Sequence, residues 1–191
     1  VEGEKMAKSK GNFFTLRDLL KQGFNPVAVR YALLSVPYRK QLNFTFDGLK
    51  GTESTLKSLV DFRARLREAA CEAGSNPAVA KAIEQAQTGF DEAMDDDLNT
   101  AQALGALHTL VRDANVAMAE AALREDDRQQ ILRWMARIDA VLGVLGREGE
   151  ESLDSEVQSL IEERARARAQ RNYVRADEIR RILAERGIIL E

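Results

Sequence analysis

The chain of 191 residues has one cysteine, one histidine and three prolines, and aromatic residues make up 6% of it. A single cysteine, Cys71, cannot close an internal disulfide, which suits a reducing, cytoplasmic setting. Glu68 and Glu72 flank it and would not favour a thiolate, so Cys71 reads as a packing residue rather than a nucleophile. His108 stands in an apolar stretch with no acid nearby in sequence, which fits a packed or surface histidine better than a general base. No Cys/His grouping has zinc spacing, so no metal site is expected within the chain. Apolar runs fall short of the ~20 residues of a membrane span, and the start lacks the pattern of a secretory signal.

Scarce proline and abundant Ala, Leu, Arg and Glu favour a mostly helical protein. Charge is segregated along it. Residues 1–67 carry 13 basic against 6 acidic side chains, residues 68–163 carry 7 against 21, and residues 164–186 carry 8 against 3. Basic ends around an acidic middle point to two separate sites for a polyanion. An acidic middle is also what soluble helices look like.

Helix signals punctuate the chain. Thr15 followed by Asp18 opens a short helix over Leu16, Leu19 and Leu20 that Gly23 stops. Asn25-Pro26 and Asn76-Pro77 each place a cap before a first-turn proline. The spacing of Leu56, Leu59, Val60 and Leu66 predicts a long helix from about Phe46 to Ala73. Val79, Ile83, Ala86, Phe90 and Met94 predict the next. Thr100 is expected to cap a helix bearing Ala103, Leu104, Leu107, Leu110, Val111 and Met118. Asp126-Asp127 opens another with Ile131, Leu132, Met135, Ile138, Leu142 and Leu145 inward. Four such helices joined by short polar loops read as an antiparallel bundle. Gly146 to Ser155 reads as a linker. Beyond it, Val157, Leu160, Ile161 and Ala165 start one helix, and Tyr173, Ala176, Ile179, Ile182 and Leu183 mark a second that ends at Gly187. Ile188 to Leu190 form at most a short strand. The domains expected are therefore 1–45, 46–146 and 147–191.

Three stretches could carry function. Lys5, Lys8 and Lys10 crowd a slim loop with Ala7, Ser9 and Gly11, which suits phosphate oxygens and equally suits a solvated basic turn. Asp95-Asp96-Asp97 tempts with magnesium, but neighbouring carboxylates on a helix splay apart, and a helix–helix corner capped by Asn99 and Thr100 reads better. Arg164, Arg166, Arg168, Arg171, Tyr173 and Arg175 could grip phosphate and stack on unpaired bases, or form a solvated helical face.

Order decides more than charge here. Lys5-Met6-Ala7-Lys8-Ser9 resembles the KMSKS loop of class I aminoacyl-tRNA synthetases, with Ala7 in place of the first serine, and Gly11-Asn12-Phe13-Phe14-Thr15 resembles its continuation in the cysteine enzymes. Asn25 to Tyr31 is similar to the DALR-type helix, with Val27 at its aspartate. Tyr38 to Phe44, Ala93 to Thr100, and Tyr173 to Asp177 with Arg186 to Glu191 resemble later stretches of cysteinyl-tRNA synthetases.

The resemblance implies activation of cysteine by ATP and its transfer to tRNA(Cys). It implies Lys8 and Lys5 as catalytic and ATP-binding residues with Ser9 beside them, and a DALR-type anticodon-binding bundle. Residues 1–45 would be the KMSKS loop and a stem-contact segment. Anticodon contacts would fall to Arg168, Tyr173, Asp177 and Arg166. ATP with Mg²⁺ would act at the loop. The HIGH motif, the catalytic Rossmann fold and the zinc ligands are expected before Val1, and part of the anticodon-reading end after Glu191. The chain is thus expected to be a monomeric C-terminal fragment that cannot aminoacylate alone. A non-catalytic helical RNA-binding module and a cysteine ligase acting on a small amine are the alternatives.

Overall fold

Side chains start nearly every helix, and they do so with the residues that local chemistry favours. In a computed structural model that describes residues 1–145, 160, 163–164, 166–167 and 172–185, α1 spans Leu16–Lys21. The Thr15 hydroxyl accepts from Asp18 N at 3.2 Å and the Asp18 carboxylate accepts from Thr15 N at 2.9 Å, a reciprocal capping box. The Thr15 hydroxyl also donates to Asp18 Oδ2 at 2.6 Å, and this bond, with the one from Thr15 N, holds the Asp18 carboxyl below its usual pKa. Asn25 caps α2 (Pro26–Leu34) through Val27 N at 2.7 Å, and Thr45 caps α3 (Phe46–Glu68) through Gly48 N at 3.0 Å. Asn76 caps α4 (Pro77–Asp95) and Asn99 caps α5 (Thr100–Ala119), while α6 runs Glu125–Leu142.

These helices belong to one unit, Val1–Leu145. Helices α4 and α5, joined by a four-residue corner at 96–99, pack most extensively, and α6 and α3 complete the bundle. Its centre holds Phe62 and Leu66 of α3, Ile83 of α4, Leu107 and Leu110 of α5, and Ile131, Met135 and Ile138 of α6, all fully buried. Burial of each such side chain is worth about 1.5–3 kcal/mol relative to exposure. Small residues allow close approach of α4 to α5: a methyl group at Gly89 would sit 3.8 Å from the Ala106 Cβ. Residues before α3 share this core, since Leu19, Ala28, Val29 and Tyr31 are buried in it and α2 packs on α3.

Four expectations change. Helix α3 stops at Glu68 rather than near Ala73, so Cys71 lies in the extended segment beyond it. That segment is captured by the start of α6: Glu72 and Arg124 form an isolated bridge, and Glu125 N and Asp126 N donate to Glu72 O and Gly74 O at 2.9 and 3.1 Å. Helix α6 therefore begins at Glu125, one residue before the expected Asp126, and Asp127 lies in its first turn. It is buried, accepting from Ser75 Oγ at 2.6 Å, Asn76 N at 2.8 Å and Arg124 N at 3.3 Å. Thr100 is the first residue of α5 rather than its cap, because its hydroxyl donates to Leu34 O at 2.7 Å across to α2. Trp134, outside the expected stripe of α6, is buried edge-on against Phe90, with ring centroids 6.3 Å apart.

The second unit is Gly146–Glu191. Within it residues 160, 163–164 and 166–167 are helical, and α7 covers Tyr173–Glu185. Asn172 caps α7 by accepting from Arg175 N at 3.2 Å. Ala167, Ala176, Ile179 and Leu183 are buried, whereas Tyr173 is 61% exposed. The expected linker and the terminal strand at 188–190 lie outside the described residues. Among the described residues no strand forms beyond the bridge, and no helix is long and apolar enough to cross a membrane.

Candidate functional site

The lysine loop stands on an aromatic base. Phe46, the first residue of α3, meets Phe14 edge-on at 5.2 Å, stacks on Phe24 at 5.7 Å and meets Phe44 edge-on at 6.1 Å between centroids. Phe14 thereby pins the chain leaving the loop. The chain entering it is tied to the same place. Glu2 N donates to Phe44 O at 2.9 Å, Gly3 N to Asn43 Oδ1 at 2.8 Å, and Phe46 N donates back to Glu2 Oε1 at 2.9 Å. Both ends of the loop thus converge on residues 43–46.

Above that base the loop closes on itself. Lys8–Lys10 make a single 3₁₀ turn that ends at Gly11 in the left-handed region, φ 68°, where the missing Cβ removes the steric cost. The Asn12 side chain folds back across it, accepting from Ala7 N at 2.8 Å and donating to Lys5 O at 3.2 Å. Lys10 pairs with Glu4 at 3.0 Å, leaving its charge largely answered. Lys5, Lys8 and Ser9 are exposed, and among the described residues no carboxylate pairs with Lys5 or Lys8. The Lys8 ammonium lies 5.3 Å from the centre of the Phe13 ring. Two ammonium groups on a slim, exposed turn can meet phosphate oxygens without first breaking an ion pair.

A second polar cluster forms where two distant stretches meet. The Tyr38 hydroxyl donates to Asp97 Oδ1 at 2.7 Å, and Arg39 Nε lies 2.6 Å from Asp97 Oδ2. The guanidinium also sits 5.4 Å from the Tyr38 ring centre. The hydrogen bond to Asp97 raises the Tyr38 pKa above its usual value. Asp97 and Leu98 both have φ 54°, so the acidic run is a tight corner whose last carboxylate is already engaged. Among the described residues no three His, Cys, Asp or Glu side chains gather as a metal site, so the donors a zinc ion needs are not assembled there. Cys71 is partly buried with its thiol pKa raised by burial, unlike an activated nucleophile. His108 is partly buried and bonded to Tyr31, and burial lowers its pKa.

In the second unit, Arg166, Tyr173 and Asp177 are exposed. Arg175 is held in place by Glu178 at 2.7 Å and Glu163 at 2.9 Å, and these hydrogen bonds raise its pKa. Arg168 lies outside the described residues.

Three family models match in order. Residues 1–54 match the class I (C) tRNA synthetase catalytic domain, residues 89–146 the DALR domain, and residues 150–191 the cysteinyl-tRNA ligase anticodon binding domain. Among curated proteins, the cysteine–tRNA ligase of Solibacter usitatus is 42% identical over the whole chain, which spans 41% of that protein. The chain is similar to cysteine–tRNA ligases along its whole length. The cysteine–tRNA ligase of Shouchella clausii is 40% identical, covered to 42% by the whole of this chain, and that of Brachyspira hyodysenteriae is 37% identical, covered to 41% by 98% of it. The chain therefore spans about two fifths of the length of these synthetases. The DALR match falls on the end of α4 and on α5 and α6 of the helical bundle. The lysine loop lies within the segment matched to the catalytic domain.

Sequence reasoning passed over Asn12 as a loop brace, although the Gly11-Asn12 pair was in view. It also read Tyr38 to Phe44 and Ala93 to Thr100 as separate strings, when Tyr38, Arg39 and Asp97 join them. Nothing in either string alone announces its partner, 59 residues away for Tyr38.

Proposed function

We propose that this chain supplies the ATP-phosphate loop and the tRNA-binding helices of a cysteine–tRNA ligase. The single observation behind this is the lysine loop: a braced 3₁₀ turn with Lys5 and Lys8 exposed and, among the described residues, unpaired with acid, in a segment matched to a class I catalytic domain. In the proposed reaction the cysteine carboxylate attacks the α-phosphorus of ATP, the α–β phosphoanhydride bond breaks, and pyrophosphate leaves. Lys8 and Lys5 place positive charge where negative charge builds on the leaving group, and Ser9 offers a hydroxyl donor beside them. A magnesium ion on the triphosphate would share that charge, and zinc would be held by residues other than those described. The aminoacyl group then passes to tRNA(Cys). Residues 1–45 serve the loop and the stem contact, 46–146 the helical tRNA contact, and 147–191 the anticodon, with Arg166, Arg168, Tyr173 and Asp177 as its contacts. The 191 residues alone are proposed not to aminoacylate.

The test is Lys8→Ala in the full-length protein. Cysteine-dependent ATP–pyrophosphate exchange should fall by about 10²-fold or more. An unchanged exchange rate would point instead to a helical RNA-binding module with an idle loop.

A further inference from the structure

We infer that Asn12 is a positioning residue for Lys8, acting through the loop backbone rather than by touching the nucleotide. The inference rests on the reading of Lys8 given above. Asn12 is partly buried, and its amide spans the loop in two directions at once. Its oxygen takes the Ala7 N–H at 2.8 Å, the donor immediately before the 3₁₀ turn, and its nitrogen gives to Lys5 O at 3.2 Å. Lys5 and Ala7 flank Met6, and Lys8 follows directly. One planar side chain therefore fixes the backbone between the two lysines.

The rest of the turn has little to replace it. Ala7 stands at the cap position with no side chain able to bond the turn. Gly11, beside Asn12, is the most permissive residue in the chain's repertoire and on its own would let the turn open. Backbone hydrogen bonds from Lys10 N to Ala7 O and Gly11 N to Lys8 O are local and exposed. Lys10 also reaches back to Glu4 at 3.0 Å, but through an exposed ion pair; among the described residues, Asn12 alone ties the turn to its far side by two bonds of defined direction. Aspartate could accept from Ala7 N but could not donate to Lys5 O, and alanine could do neither. An ammonium carried on a loosened turn loses its placement relative to the phosphates, and placement errors of about 1 Å can cost up to about 10²-fold in rate.

The experiment combines Asn12→Ala, Lys8→Ala and the double variant in the full-length protein, with ATP–pyrophosphate exchange as the readout. Asn12→Ala should lower kcat between about tenfold and a hundredfold while the KM for cysteine stays within about twofold. Asn12→Asp should fall between parent and alanine variant. Once Lys8 is alanine, removing Asn12 should change the rate by less than about twofold, because the brace then has nothing to place. In the 191-residue chain, Asn12→Ala should speed tryptic cleavage after Lys5 and Lys8 with the thermal midpoint unmoved, separating a loosened loop from lost folding. Equal kcat for parent and Asn12→Ala, or full additivity with Lys8→Ala, overturns the inference and leaves the role of Lys8 standing. An unaffected Lys8→Ala variant overturns both.

Discussion

The Tyr31 hydroxyl and His108 Nε2 lie 2.5 Å apart and join α2 to α5 inside the bundle. The two share a hydrogen bond whose donor is set by the imidazole tautomer, and burial lowers the His108 pKa below its usual 6.5. A base that is harder to protonate when folded contributes stability that is complete above the unfolded value, near pH 6.5, and is lost as pH falls through the folded value. His108 is the one histidine of the chain, so this loss has a single source above the carboxylate range. Urea midpoints measured from pH 7.5 to 5 should fall in the parent and stay flatter in His108→Gln. A parent curve flat down to pH 5 would mean that the pair tolerates an imidazolium.

Asp127 should be the costliest polar residue to truncate. Its carboxylate is buried and serves Ser75, Asn76 and Arg124, so it locks the segment after α3 against the first turn of α6. Asp127→Ala strands three donors and should cost about 2–4 kcal/mol by urea unfolding. Asp127→Asn retains an acceptor and should cost less. A loss below about 1 kcal/mol would show that water replaces the carboxylate.

Leu98 holds φ 54° while 56% exposed, so it bears left-handed strain with little burial in return. Leu98→Asn should be neutral to stabilising by up to about 1 kcal/mol. A clear destabilisation would assign the leucine side chain a packing role at the corner.

Ala7 offers a gain. A serine there stands at the cap of the 3₁₀ turn, where Ala7 supplies no side-chain bond. Ala7→Ser should stiffen the loop by about 0.5–1 kcal/mol and slow tryptic cleavage after Lys8. Unchanged cleavage would show that Asn12 already saturates the turn.

What could be read from the sequence was local chemistry. The Thr15 and Asp18 pairing and the Asn25-Pro26 and Asn76-Pro77 starts use partners within three residues, so the letters themselves carry them. The end of α3 was not legible, because Glu72 is held by Arg124, 52 positions later, and propensity has no term for that. Trp134 escaped for the same reason: its burial depends on Phe90 of another helix. In the loop, the order of lysines and small residues was visible at once. The brace was not, since Asn12 acts only after the chain has turned back on Lys5 and Ala7.

The convergence of Phe14, Phe24 and Phe44 on Phe46 has a thermodynamic side. A loop whose two ends are tied to residues 43–46 cannot drift from the bundle; it can only tilt about its neck. Ordering a residue costs about 1–2 kcal/mol in backbone entropy, and most of that cost falls during folding for residues outside the neck-to-brace span. A nucleotide that engages Lys8 would have to still only the few residues around it. The aromatic base would thus act at a distance from the phosphates, as a reduction in what binding has to freeze.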